Sequence, residues 1–92
     1  TPWLAQPAPA APQGRWARGE GGARVLRATP GDDTVLRQMV LWQRTGTDWT
    51  WQALPAARAA VAGFAAVPGA QALWLQAVGR TGLASPAQPV RP

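Results

Sequence analysis

Few side chains in this sequence are capable of covalent or acid–base chemistry. Histidine, cysteine, lysine and tyrosine are absent, and Ser85 is the only serine. Nucleophilic catalysis needs an activated nucleophile beside a base, and Ser85 stands before Pro86, a context typical of a turn. Asp32 and Asp33 follow Pro30-Gly31, where aspartate caps a turn, and they lack the further oxygen ligands that calcium requires. We therefore expect no enzyme activity, no cofactor and no metal.

Tryptophan is the residue type whose number could mark a binding site. The chain has six tryptophans. The candidates for a docking or ligand surface lie on predicted strands: Trp42, Trp49, Trp51 and Trp74. Exposed tryptophan on a sheet can stack sugar rings or dock another domain, whereas buried tryptophan fills the core. Trp74 alternates with Leu73 and Leu75, so these tryptophans cannot all face inward, and the three roles stay open.

The basic residues of this chain are all arginine. Lysine plus arginine total 9 against 4 carboxylates, so the formal net charge is +5. Such an excess could indicate a nucleic-acid or membrane-surface partner. The arginines are scattered and never form a run, which is typical of a solvated surface. We predict neither partner, and nucleic-acid binding through arginine is kept as a hypothesis in which affinity falls steeply with salt.

Length and composition predict one small domain preceded by a linker. The chain has 92 residues and no cysteine, and no apolar run approaches the roughly 20 residues that span a bilayer. Residues 1–13 are rich in proline and alanine and predict an extended linker leading into the first strand, with the domain over 14–92. Trp3 and Leu4 are expected to pack against a neighbouring domain or the base of this one. Abundant alanine, glycine, proline and arginine suggest a GC-rich bacterial genome, and we expect a fragment of a longer protein.

Short extended runs separated by turns predict an all-β fold for the domain. Glu20-Gly21-Gly22 predicts a turn before a strand over 23–29. The next run, 34–44, is apolar on both faces and predicts a central strand. Residues 45–48 close that run, and the strand over 49–54 follows.

The last third of the chain predicts a hairpin. Leu73, Leu75 and Ala77 share one face of a strand, with Trp74, Gln76 and Val78 on the other. Residues 80–82 supply a turn because glycine takes positive φ without steric cost. A second extended run, 84–90, can then return beside the first.

The segment over residues 55–67 has two interpretations. Leu54, Ala57, Val61 and Phe64 recur at helical spacing, alanine favours helix, and Pro55 suits a first helical turn. Gly63 in mid-segment counts against a helix, and Gly63-Phe64 followed by Pro68-Gly69 resembles the end of a strand in fibronectin type III domains. We predict the strand and keep the helix as the alternative.

These motifs resemble the fibronectin type III family over roughly residues 7–90. Residues 72–86 are similar to the last two strands of that family, residues 38–42 to its third strand, and Trp49 to the tryptophan that commonly follows the next turn. The tryptophan usual in the second strand is missing, and Gln71 or Leu73 stands where the family has a corner tyrosine. The resemblance implies a seven-stranded antiparallel immunoglobulin-like β-sandwich, with Trp42 and Trp74 on neighbouring strands.

The resemblance also implies a function. Such modules are often appended to glycoside-hydrolase-like enzymes, so we expect a non-catalytic accessory or spacer module of a larger bacterial exported protein, docking a neighbouring domain of the same polypeptide. The alternative is a carbohydrate-binding module that holds polysaccharide on its surface tryptophans. The expected location is periplasmic, cell-surface or secreted, and the fragment is expected to be a monomer.

Overall fold

The computed structural model describes residues 9–32, 35–65 and 69–91. Within these ranges the chain forms β1 (Gln13–Arg18), β2 (Arg24–Thr29), β3 (Leu36–Thr45), β4 (Asp48–Pro55), α1 (Ala56–Val61), β5 (Phe64–Ala65), β6 (Ala72–Gly79) and β7 (Gln88–Val90). The strands make two antiparallel sheets, ordered β1-β2-β5 and β4-β3-β6-β7. The predicted all-β class with seven antiparallel strands is confirmed for the described residues.

The three-stranded sheet begins with a hairpin closed by glycines. β1 and β2 pair along their whole length, and a 3₁₀ turn at Glu20–Gly22 joins them, as the sequence predicted. Gly21 and Gly22 have positive φ, a backbone conformation that only glycine adopts without steric cost. On β2, Leu26 and Ala28 are fully buried, so alternate side chains of this strand face the core.

The segment before β1 contacts the domain where it is described. Pro9 and Pro12 are buried, and the amide of Ala10 donates a hydrogen bond to Asp32 Oδ2 at 3.1 Å. This bond joins the start of the described chain to the loop after β2. Trp3, Leu4 and the rest of residues 1–8 lie outside the described residues, as does Asp33, and the linker boundary at residue 13 stays a prediction.

β3 is the central strand of the larger sheet, as its two apolar faces predicted. It pairs with β4 on one side and with β6 on the other. Met39 and Leu41 are buried inward, and Val40 on the opposite face is almost buried as well. Gly46 takes a φ of 65° in the turn that joins β3 to β4.

The prediction of a strand over residues 55–67 is wrong for its first half. Residues 56–61 form α1, and β5 contributes only two strand residues. Alanine, the best helix former, dominates α1, and Ala59 is fully buried in the core. Gly63, at a φ of 80°, ends the helix, and its amide donates to the Arg58 carbonyl at 3.1 Å. Residues 66–68 lie outside the described residues.

β6 confirms the period-two prediction. Leu73, Leu75 and Ala77 are buried between the sheets, while the residues between them are partly exposed. The return run pairs in two short stretches, an isolated bridge between Val78 and Ala84 and then β7. The buried core cluster draws on both sheets and on α1: Leu26, Ala28, Met39, Leu41, Ala59, Phe64, Leu73, Leu75 and Ala77. Across the described ranges, no helix combines the length and apolar character needed to traverse a bilayer.

Candidate functional site

Four tryptophans share the outer face of the larger sheet. Trp42 on β3 pairs directly with Trp51 on β4 and with Trp74 on β6. Directly paired residues of antiparallel strands project to the same side, so these three indoles form one row across three strands. Trp49 lies two residues before Trp51 on the same strand and therefore on the same side. We call these four residues the tryptophan face.

Exposure on the tryptophan face increases towards the sheet edge. Trp42 is 36% exposed, and on the edge strand β4 Trp49 is 50% and Trp51 63% exposed. Trp74, on β6, is half-buried. A groove of about 400 Å³ is lined by Trp42, Trp49, Trp74 and Ala87. The candidate residues are thus brought together, and two of them, Trp49 and Trp51, are at least half exposed.

A chain of hydrogen bonds holds Trp42, which is one of the residues that line this groove. The Trp42 indole Nε1 donates to Gln76 Oε1 at 3.0 Å, and the Gln76 amide donates to the Ser85 carbonyl at 3.0 Å. Ser85 is itself anchored to β6, because its amide donates to the Ala77 carbonyl at 2.8 Å and its Oγ accepts from the Ala77 amide at 2.9 Å. The indole of Trp42 is therefore oriented by Gln76 on β6, and Gln76 is in turn held by the Ser85 carbonyl.

The roles of Gln76 and Ser85 were not identified in the sequence. The alternation of β6 placed Gln76 on the same side as Trp74, but nothing in the pattern paired its amide with Trp42. Ser85 was assigned to a turn, and its buried hydroxyl also donates to the Pro86 carbonyl at 3.0 Å. This serine therefore positions the chain that lines the groove.

Arg44 adds a charge beside the tryptophans. It lies opposite Trp49 in the β3–β4 pairing, with its guanidinium carbon 6.0 Å from the centre of the Trp49 ring. That distance is at the limit of a cation–π interaction. Its Nε is buried without a hydrogen-bond partner in the described structure.

The residues considered for chemistry have structural contacts instead. Asp32 accepts the hydrogen bond from Ala10, and Ser85 anchors the segment before β7. Among the described residues, no group of three or more histidine, cysteine, aspartate or glutamate side chains could hold a metal ion. The expected absence of catalysis stays a prediction.

No protein-family model, curated protein or solved structure matches this chain. Among the described residues, the tryptophan face is an aromatic surface of four side chains, of which three are exposed.

Proposed function

We propose that this chain is a fibronectin type III-like, non-catalytic module of a larger bacterial exported protein. Strand order supports the family. In immunoglobulin-like sandwiches the fourth strand joins either the sheet of the first two strands or, as C′, the sheet of C, F and G. Here β4 lies beside β3, in the sheet that also holds β6 and β7. This is the C′ position, with β1, β2 and β5 forming the opposite sheet.

The module docks a neighbouring domain through the tryptophan face. The observation that carries this proposal is the contiguous row of Trp51, Trp42 and Trp74, flanked by Trp49. Tryptophan and arginine are enriched among residues that dominate binding energy at protein interfaces, and Arg44 lies at this row. A domain placed over β4 and β3 would remove the most exposed indoles from water. The expected neighbour is glycoside-hydrolase-like, on the resemblance alone.

The polar groups at the groove favour a protein partner over a sugar. A sugar site combines aromatic surface with placed hydrogen-bonding groups that fix orientation. Here the N–H of Trp42 is already donated to Gln76, whose amide is donated to Ser85. The groove is otherwise lined by two further indoles and the methyl group of Ala87. These surfaces suit an apolar partner.

Carbohydrate binding is the second candidate. Trp49 and Trp51 are at least half exposed, and no described hydrogen bond uses their indole N–H groups. A neutral polysaccharide could stack on these rings and accept from those donors. This candidate uses the edge strand, whereas the groove itself is explained better by docking.

The docking proposal is tested in the full-length protein. With 5-fluorotryptophan incorporated only in this module, ¹⁹F NMR reports solvent contact of each indole in the isolated chain and in the full-length protein. We expect Trp49 and Trp51 to lose their solvent isotope shift beside the neighbour. Trp16 lies in the other sheet and is the internal control, expected to stay unchanged. Equal shifts for Trp49 and Trp51 in both samples would contradict docking.

A fluorescence titration separates the second candidate from the first. Neutral polysaccharides are added to the isolated chain and to its W49A/W51A variant while tryptophan emission is followed. Docking predicts no response in either protein. A saturable response that disappears in the variant would replace docking with carbohydrate binding.

A further inference from the structure

The fold brings together arginines that are scattered in the sequence. Along the β1–β2 hairpin, Arg15 pairs directly with Arg27, and Arg18 pairs directly with Arg24. At two positions of the hairpin, therefore, one arginine lies directly opposite another. Like charges directly opposite each other on neighbouring strands are destabilising, and a natural sequence breaks such a rule most often where a function requires it.

The two arginine pairs differ in their contacts. Arg18 donates to the Gly22 carbonyl at 3.3 Å, and the Arg24 guanidinium lies 4.1 Å from the centre of the Trp16 ring. Both are therefore engaged within the protein. Arg15 and Arg27 are exposed, and no described hydrogen bond or ion pair involves either of them. Their charges face solvent from the outer side of the smaller sheet, opposite to the buried Leu26 and Ala28.

The neighbours of this pair provide neutral hydrogen-bonding groups. Gln13 pairs with Thr29 two residues along the strands, so both lie on the same side as Arg15 and Arg27. Both are exposed. We call these four residues the arginine face. It combines two guanidinium groups, an amide and a hydroxyl without a large apolar side chain.

A groove adjoins the arginine face. It has a volume of about 540 Å³, lies between β1 and β7, and shares Gln13 with the face. Gln88 and Arg91 are among its other lining residues, so amide groups and a further guanidinium continue around the open side of the sandwich. The same groove is also lined by Trp16, Pro89 and Val90, so a linear ligand longer than one unit would meet both polar and apolar groups along this path.

We propose that the arginine face binds an acidic polysaccharide, a chain of uronic-acid units. The Cβ atoms of directly opposed strand residues lie about 4.5–5.5 Å apart, so Arg15 and Arg27 can both reach one carboxylate. Guanidinium groups match carboxylates in bidentate geometry. The Gln13 side-chain amide is placed for the hydroxyl groups of the same sugar or the next, and Thr29 Oγ1, which donates to the Gln13 carbonyl at 3.5 Å, can still accept from them. An anion between the two arginines also removes their mutual repulsion.

Other polyanions fit the described surface less well. Single-stranded nucleic acid is held by exposed aromatic rings beside the charges, but Trp16 is half-buried under Arg24, and its N–H is donated to the Arg91 carbonyl at 2.6 Å. A membrane surface is favoured by large apolar side chains that insert, and the hairpin tip has glycines at 19, 21 and 22. In a protein interface, arginine anchors lie within a patch of desolvated aromatic or apolar side chains, and the arginine face has no such side chain among its four residues.

This inference concerns a different sheet from the docking proposal, and the two can fail separately. The test measures affinity for polygalacturonate at low ionic strength by isothermal titration calorimetry. The variant R15Q/R27Q removes two charges from the arginine face. The variant R37Q/R80Q is the matched control, because it removes the same charge beside the larger sheet, from the start of β3 and the turn after β6. Neither pair of substitutions removes a buried group, so both variants are expected to fold.

We expect R15Q/R27Q to weaken binding about tenfold and the control to change it by less than about twofold. W49A/W51A should also bind as the unchanged protein does, which keeps this result independent of the tryptophan face. Equal losses of affinity in the two charge variants would show that the effect comes from net charge alone, and this would overturn the proposal. The proposal would also be overturned if fully methyl-esterified polygalacturonate bound with equal affinity. Tighter binding of an oligonucleotide with the same number of charges, or no binding of polygalacturonate at all, would overturn it as well.

Discussion

The outer faces of the two sheets differ in how their neighbouring strands interact. On the larger sheet, Trp42 meets Trp51 and Trp74 across the strands, and aromatic cross-strand pairs are stabilising. On the smaller sheet, Arg15 meets Arg27, and that pair is repulsive. The cross-strand tryptophan pairs thus stabilise the fold, whereas the Arg15–Arg27 pair destabilises it. A bound anion would reduce the repulsion between these two arginines. The cross-strand pairs of the tryptophan face are expected to be stable before any partner docks, whereas the arginine face is expected to gain stability when it binds an anion.

The largest effect should come from the core that supports both faces. Leu75 is 0% exposed and lies between the sheets, beside Gly14 of β1. We expect Leu75→Ala to lower the free energy of unfolding by about 3 kcal/mol, measured by urea denaturation. Leu83→Ala, at an exposed site, is the control and should cost under about 0.5 kcal/mol. A small loss in Leu75→Ala would mean that the two sheets do not share this core.

The next effect separates the centre of the tryptophan face from its edge. Trp42 lies between two tryptophans and donates its N–H to Gln76. Trp42→Ala should cost about 2 kcal/mol, below the value for a fully buried tryptophan because about a third of the side chain is exposed. Trp51→Ala, on the edge strand, should cost less than about 1 kcal/mol. If urea denaturation shows equal losses of unfolding free energy in the two variants, the edge tryptophans contribute to stability as the central one does. That result would contradict the view that their main role is to contact a partner.

A smaller effect is expected where the groove is anchored. Ser85→Ala removes the acceptor for the amide of Ala77, and a buried amide left without a partner costs about 1–2 kcal/mol. Hydrogen exchange of the Ala77 amide should accelerate, since this bond holds it closed. The control Thr81→Ala changes an exposed hydroxyl in the preceding turn. Unchanged exchange in Ser85→Ala would show that the Ser85 hydroxyl does not hold the Ala77 amide.

The smallest effect should have the opposite sign and belongs to the arginine face. Arg27→Glu places a carboxylate opposite Arg15 and turns a repulsive pair into an attractive one. We expect the free energy of unfolding to rise by about 0.5 kcal/mol and the gain to shrink in high salt. Arg37→Glu is the control for net charge. If the free energy of unfolding rises equally in both variants, the direct pairing of Arg15 with Arg27 is not the cause of the increase.

Strand patterns were predictable from the sequence where burial alternates. β6 shows every second side chain buried, so the alternation of Leu73, Leu75 and Ala77 was enough to assign its core face. β3 was predictable as a central strand because both of its faces are apolar. The residues of α1 were not, because alanine at Ala57 and Ala59 fits a helix and a short buried strand alike, and only contact with the core distinguishes them.

The surfaces were only partly predictable, because they depend on register. The sequence placed Trp42 and Trp74 on neighbouring strands, but the direct opposition of Trp42 and Trp51 follows from the length of the β3–β4 turn. The opposition of Arg15 and Arg27 likewise follows from the turn at residues 19–22, so arginines far apart in the chain gave no pattern. Gln76 was assigned to the right face, but its bond to Trp42 requires side-chain geometry.

The segment that carries Ser85 also connects the grooves beside the two proposed binding surfaces. Ala87 lines the groove of the tryptophan face, and the next residue, Gln88, lines the groove beside the arginine face. A single short stretch of chain is therefore a wall of both sites, held to β6 at Ser85. Any shift of that wall changes both grooves, and by thermodynamic linkage the influence of one occupant on the other is reciprocal. Docking at the tryptophan face and ligand binding at the arginine face would then each change the affinity of the other, through the seven residues 85–91.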